Sequence, residues 1–489
     1  MKKNVSFGFA VFLILLYSAI QVVLLIHHEP WQDEAQAWLI ARDLDIASIF
    51  KQMAYEGSPA LWHMLLLPFA KTGLPYMSEF ILHLIIAIAA VAVFILYAPF
   101  SRVTKVLFIF SYYMGYEYSI IARSYGLSIL FLFLIAALYT KRFEHPLWFS
   151  FLVFLLFNTN VHSFFIACSL TILFAWELYR KKVQGGRGKI AVLVMFTGGL
   201  LSFLQLLSPP DNIHYGIVSD INYLAPFAAM AFAFFPWHTS FLIPSELRVA
   251  FMLISFLIFC IIIASMNRRP AALFILLLST LGLFYIFSLK YPGAPRHHGL
   301  ILIIFLFSLW ISGHYRDSQK NHLNITSIVN FSNIPIMLIS ACLALSLLYS
   351  LKIQYIEYKY VFSGAKEMAC FIKKNHLANH TIVAHKSIGA NALLPYLPEQ
   401  KFWYAGIENY GTFLTYNKKY LAGRDISNEQ VVLRVKRKFL DKSQILLLLT
   451  EPLDFPELRG FTLLYKVDKN IFGYGREKFY LYTSVSQNL

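Results

Sequence analysis

Residues 31–63, WQDEAQAWLIARDLDIASIFKQMAYEGSPALWH, are a polar interruption between two long apolar runs, 6–26 and 77–98. Five acids fall inside it (Asp33, Glu34, Asp43, Asp45 and Glu56), in a chain with only 26 Asp and Glu among 489 residues. A helix starting at Asp33–Glu34 sets Trp31, Ala35 and Trp38 on one face and Gln32, Asp33 and Gln36 toward the other. Two tryptophans on one face suit a helix lying in the membrane interface, with Asp33 turned toward whatever cavity the other helices enclose. A solvated acidic loop is the plain alternative. Further along, Ser58 suits an N-cap and Pro59 a first helical position. Glu56 is then expected just ahead of a helix N-terminus, where the dipole favours a carboxylate. His63 follows about one turn into that helix. Asp43 and Asp45 are assigned no role beyond solvation.

The surroundings are those of a bilayer protein. The chain is 58% hydrophobic and 14% charged, against roughly 25% charged residues for a soluble domain. The expected fold class is a polytopic α-helical membrane protein of about 11 spans, with a C-terminal extracytoplasmic α/β domain. Spans are placed near 6–26, 77–98, 104–120, 124–140, 146–161, 163–179, 189–207, 249–266, 270–289, 299–313 and 332–351. Leu61–Ala70 and Leu224–Trp237 read as interfacial or re-entrant. The net charge of +16 reads as the positive-inside bias and not as a nucleic-acid footprint. Lys2, Lys3, Arg102, Lys105, Arg142, Arg187, Arg268 and Arg269 all fall on one side in this topology. The N-terminus is therefore expected in the cytoplasm, in a bacterial inner membrane, and the first apolar run is read as an uncleaved helix. The four cysteines have no metal-type spacing.

The expected domains are 1–351, a membrane domain with a functional outer loop at 27–76, and 352–489, a soluble α/β domain. In the latter, helices are predicted at 363–376 and 427–440, and strands at 381–385, 401–405, 444–450, 461–467 and 478–483. It carries no GxGxxG or GxxxxGK(S/T) motif, so no nucleotide cofactor is expected.

Three outer turns could complement the acids of residues 31–63. YEYSIIARSYG at 116–126 carries Glu117, Arg123 and Tyr125; mutual pairing of Glu117 with Arg123 is the structural alternative. Asn158, Asn160 and His162 form the next turn, where helix capping is the alternative. KYPGAPRHH at 290–298 carries Arg296, His297 and His298; an interfacial anchor is the plain reading and a phosphate site the chemical one, because Arg offers a bidentate fork to phosphate. Acids suited to deprotonating a hydroxyl, facing bases suited to a phosphate leaving group, are equipment for sugar transfer from a lipid phosphate.

The Asp33–Glu34 loop, the acid-x-x-Pro element at Glu56–Trp62 and the Arg-containing turn at 116–126 resemble the GT-C superfamily, which includes protein O-mannosyltransferases and bacterial aminoarabinose transferases. The resemblance implies a polyprenyl-phosphate-sugar donor from the membrane and a glycan, lipid or protein acceptor. It implies Asp33 as general base, Glu34 as its neighbour and Glu117 as the second-loop acid. By the resemblance Arg123 and Arg296 would hold the phosphate; His297 and His298 stand where an Arg-Tyr is common in the family, and with Tyr125 and His162 of the neighbouring outer turns they are taken as the rest of the substrate-binding set. Glu56 and His63 would be the residues nearest a divalent metal cation. A flippase of lipid-linked glycans and a non-catalytic assembly subunit are the competing functional classes.

Overall fold

The computed structural model describes residues 6–180, 186–213, 221–237, 244–315, 334–439, 445–473 and 477–484. Lys2 and Lys3, used in the charge argument, lie outside the described residues, as do residues 332–333, 440 and 444 at the ends of predicted elements. The chain opens with α1 (Phe7–His27), followed by three short helices, α2 (Gln32–Asp43), α3 (Ile46–Glu56) and α4 (Leu61–Lys71). Then come α5 (Met77–Tyr97), α6 (Arg102–Phe110), α7 (Ser124–Leu138), α8 (Pro146–Phe157), α9 (Val161–Arg180) and α10 (Gly186–Gln205). The bundle is completed by α11 (Ala225–Phe234), α12 (Ser245–Ser265), α13 (Pro270–Leu289), α14 (Pro295–Ser312) and α15 (Ile334–Lys359). Among the described residues nine helices are long and apolar enough to cross a membrane, and α8 and α11 are shorter apolar helices. The protein is a multi-pass membrane protein.

The span expected at 104–120 is not one helix. α6 stops at Phe110, and a single π-helical turn, Tyr113–Glu117, follows the break. Non-helical backbone at membrane depth must find internal hydrogen bonds. Here the Met114 carbonyl accepts from the Tyr17 hydroxyl at 2.7 Å, and the Gly115 carbonyl accepts from the Gln21 and Gln354 amides, each at 3.0 Å. These donors sit on α1 and α15, so the break is stabilised by its neighbours and sends the chain on to Glu117 and Arg123. Gly115 is required by close approach: a Cβ there would lie 2.8 Å from the Phe110 carbonyl and 2.9 Å from Ser350 Oγ.

The Glu56 region also differs from expectation. Asp45 caps α3 through the Ser48 N–H at 2.8 Å, a role beyond solvation. Gly57 ends α3 in the left-handed conformation, φ 65°, the usual glycine stop. α4 begins only at Leu61, because Pro59 disfavours helical backbone at Ser58. Glu56 is thus the last residue of α3, at the dipole end that disfavours an anion. Its position has no helix-capping explanation.

The C-terminal domain starts with α16 (Ala365–Lys374) and a six-stranded sheet: β1 (Thr381–His385), β2 (Phe402–Tyr404), β3 (Asn409–Gly411), β4 (Ile445–Leu449), β5 (Phe461–Val467) and β6 (Phe479–Ser484). The order is β3-β2-β1-β4-β6-β5. β1 runs parallel to β2 and β4, and the other pairings are antiparallel. The side chains of β4 alternate between two cores. Ile445, Leu447 and Leu449 pack with Val431, Val432 and Val435 of the helix Asn428–Lys438. Leu446 and Leu448 join the core shared with α16, Leu393, Leu394 and the membrane bundle. A strand covered on both faces is apolar throughout, which explains the sequence ILLLL.

Gly115→Ala is expected to lower the unfolding temperature of the detergent-purified protein, with a cost of about 1–3 kcal/mol for the forced repacking. Gly57→Ala, with open space around its Cβ, is the comparison and costs only its left-handed strain, about 1 kcal/mol. Thermal unfolding by intrinsic fluorescence reads both.

Candidate active site

Asp33 lies in the first turn of α2. Its Oδ2 accepts from Arg296 Nη2 at 2.9 Å and lies 3.0 Å from Arg123 Nη1. Arg123 Nη1 also donates to the Asp33 carbonyl at 3.0 Å. Arg123 is the N-cap residue of α7, and Arg296 is in the first turn of α14. His162, in the first turn of α9, stacks on His297 of α14 with centroids 4.4 Å apart and planes 10° apart. Tyr125 meets His297 edge-on at 5.4 Å. The N-termini of α2, α7, α9 and α14 therefore converge, bringing the positive ends of four helix dipoles to one place. Two guanidiniums share one carboxylate oxygen there, which leaves positive charge for a further anion.

The backbone beneath Asp33 is held by its neighbour. Glu34 is fully buried. One carboxylate oxygen accepts from the Trp31 N–H at 3.1 Å, closing the start of α2, and lies 3.2 Å from His28 Nε2. The other accepts from the Ala122 N–H at 2.6 Å, next to Arg123. His28 Nδ1 is 2.9 Å from Glu357, and Glu357 accepts from the Tyr116 hydroxyl at 2.6 Å. Burial opposes charge on His28, but the carboxylates of Glu34 and Glu357 on either side outweigh it and raise its pKa. Glu34 thus ties the Asp33 helix to the Arg123 turn, as a positioning residue.

Other expected residues are distributed as follows. Trp31 and Trp38 are buried inside the protein and are not presented to lipid: Trp31 sits under Arg296, 5.8 Å from its guanidinium, and Trp38 packs on Tyr76. The solvated-loop alternative fails with them. Glu117 does not pair with Arg123, which is turned to Asp33; it is buried and accepts from the Tyr112 hydroxyl at 2.7 Å. Its charge still acts on Arg296. Asn160 caps α9 through the Ser163 N–H, as the capping alternative had it. His297 Nδ1 accepts the Ala294 N–H, and His298 Nε2 meets the Pro292 carbonyl at 2.9 Å. His298 packs against Phe232 and Phe287. His297 and His298 are buried and Arg296 is half-buried, its guanidinium turned to Asp33. Glu56 Oε1 accepts from the Gln36 and Gln52 amides, each at 2.9 Å, and His63 is buried near Arg123. Among the described residues no three His, Cys, Asp or Glu side chains are grouped to hold a metal ion.

The C-terminal domain completes the site, which no sequence pattern revealed. Glu477 accepts from the Gln32 N–H at 2.9 Å and from the Ser363 hydroxyl at 2.6 Å, capping α2 from outside the bundle. Gln36 donates to the Leu414 carbonyl at 2.7 Å and accepts the Leu414 N–H at 3.0 Å and the Asn391 amide at 3.2 Å. Gln52 also donates to the Leu414 carbonyl. His28, Gln36, Gln52, Glu357 and Glu477 were not singled out in the sequence. Only Glu357 had a signal, an acid inside the long apolar helix α15, and it lies beyond the predicted end of that span.

No family model matches the chain, and no curated protein matches it. Solved structures do. ArnT from Cupriavidus metallidurans bound to undecaprenyl phosphate superposes with a TM-score of 0.57 at 12% identity, over 99% of this chain and 99% of that one. The fold is that of ArnT. The apo ArnT structure gives the same TM-score and identity over 98% of each chain. At this identity the likeness is one of fold, and it extends over the membrane bundle and the C-terminal domain together.

Burial pushes the Glu56 carboxyl up to about 7 and the Glu477 carboxyl up to about 8, against an ordinary value of 4.5. Both pKa values are higher in the folded state. Their contribution to stability is therefore full below about pH 4.5 and is lost as pH rises through 7 to 8. The unfolding temperature is expected to fall between pH 5 and pH 8 in the wild type, and the fall to flatten in Glu56→Gln and in Glu477→Gln. A thermal-shift series across pH checks this.

Proposed function

We propose that this protein is an inverting glycosyltransferase that moves a sugar from a polyprenyl-phosphate donor to an acceptor hydroxyl on the extracytoplasmic side of a bacterial inner membrane. The observation that carries the reading is the sharing of one Asp33 oxygen by Arg123 and Arg296. In this reading the donor phosphate takes the two guanidinium forks and frees Asp33 Oδ2. The acceptor hydroxyl gives its proton to Asp33, and its oxygen attacks the anomeric carbon. The bond from that carbon to the phosphate oxygen breaks, and the lipid phosphate leaves with the electron pair. Its growing charge meets Arg123, Arg296 and the helix N-termini, where preorganised donors act most strongly. Tyr125, His162 and His297 supply an aromatic wall beside the sugar. A membrane-embedded site suits a donor whose chain enters from the bilayer, and the ArnT structure with bound undecaprenyl phosphate supports a lipid of that class.

Asp33→Asn and Arg296→Ala are each expected to lower transfer by at least about 10²-fold. Release of lipid phosphate from a radiolabelled polyprenyl-phosphate sugar reads the loss. Wild-type rates in both variants would overturn the assignment. Glu34→Gln is expected to lower transfer and the unfolding temperature together, because it loosens the start of α2; a loss of transfer alone would move Glu34 from positioning to chemistry.

A further inference from the structure

A cleft of about 680 Å³ with a mixed polar and apolar lining lies where the C-terminal end of α2 meets the C-terminal domain, between Arg42–Asp43 and residues 401–420. It is separate from the Asp33 contact but mechanically joined to it. Leu414 lines the cleft, and its backbone N–H and carbonyl are both bonded to Gln36, one turn along α2 from Asp33. The cleft mouth at Arg42–Asp43 is the other end of the same helix, on the order of 15 Å away at ~1.5 Å per residue.

The lining chemistry selects a ligand class. Arg42 bonds both carboxylate oxygens of Asp43, at 2.7 and 3.0 Å, and the Thr412 hydroxyl donates to the same group. Asp43 is the only acid among the lining residues, and it is already engaged. Lys401 and Lys419 then leave the cleft with a surplus of positive charge. Beside them, Asn409 and Tyr410 stand on β3, the end strand of the sheet, and Tyr410 is 46% exposed. An exposed aromatic face next to amides and cations in a concave site suits sugar rings carrying negative charge. The geometry points to this cleft as a binding site for an anionic glycan, the non-reacting part of the acceptor. This assignment rests on the transferase reading above, since it identifies the ligand as the acceptor.

The full-length protein in detergent is tested by microscale thermophoresis with a heparin tetrasaccharide as the sulfated probe and maltotetraose as the neutral one. The sulfated probe is expected to bind about tenfold or more tightly than the neutral one, and Lys401→Ala/Lys419→Ala to lose at least about tenfold of that affinity. Lys373→Ala/Lys374→Ala, which removes two exposed lysines at the end of α16, is expected to bind as the wild type does. Tyr410→Ala is expected to weaken both probes. Equal binding by the Lys401/Lys419 double variant, equal loss in the Lys373/Lys374 variant, or no preference for the sulfated probe would overturn the cleft assignment. Asp33→Asn separates the two readings. If it retains transfer, the transferase mechanism falls while the binding result stands. If the lysine variants fail to lose binding, the cleft falls while the mechanism stands.

Discussion

One carboxylate oxygen held between two guanidiniums organises the functional end of this protein. Asp33, Arg123 and Arg296 come from segments far apart in the chain, and each sits at a helix start. Opposite charges at these depths cannot be left unpaired without a large desolvation cost. The contact therefore fixes where α2, α7 and α14 begin relative to one another. In the proposed reaction, a phosphate that displaces the carboxylate would find its ligands already aligned and would free a base beside them.

Around that contact several buried polar groups hold α2. Glu34 ties it to Ala122, Glu477 caps it from the sheet domain, and Gln36 binds both Leu414 backbone groups. The C-terminal domain is thus part of the site's scaffold. Glu56 follows from this arrangement. It sits at an unfavourable helix end, half-buried and held by two glutamines, and it couples protonation to the seam between loop and domain.

The break after α6 shows the same constraint inside the bilayer. A regular helix through 104–120 would satisfy its own backbone. Replacing it with a π turn obliges Tyr17, Gln21 and Gln354 to supply the missing donors. Those polar residues in apolar helices then have a purpose, which is to let the chain turn toward Glu117 and Arg123 before α7 starts.

The amino-acid sequence by itself determined the class and most elements. Long apolar runs bounded by charge specify spans because backbone in lipid must be helical. The strands at 381–385, 445–449 and 461–467 follow from apolar runs between turn residues, and the structure has them. Asp33, Arg123 and Arg296 were legible because ionisable residues next to apolar spans are costly enough to mark a site. What only the tertiary structure decided was pairing and direction. Arg123 meets Asp33 and not Glu117, the two tryptophans face the interior, and Glu56 closes one helix instead of opening the next. Glu477 carried no local signal, and periodicity placed Gln36 on the Asp33 face without naming Leu414 as its partner, because a hydrogen bond across hundreds of residues leaves no periodicity in the chain. Local propensity sets which segments become helices and strands. The partners of a buried charge are set by the balance of desolvation and pairing over the whole folded molecule.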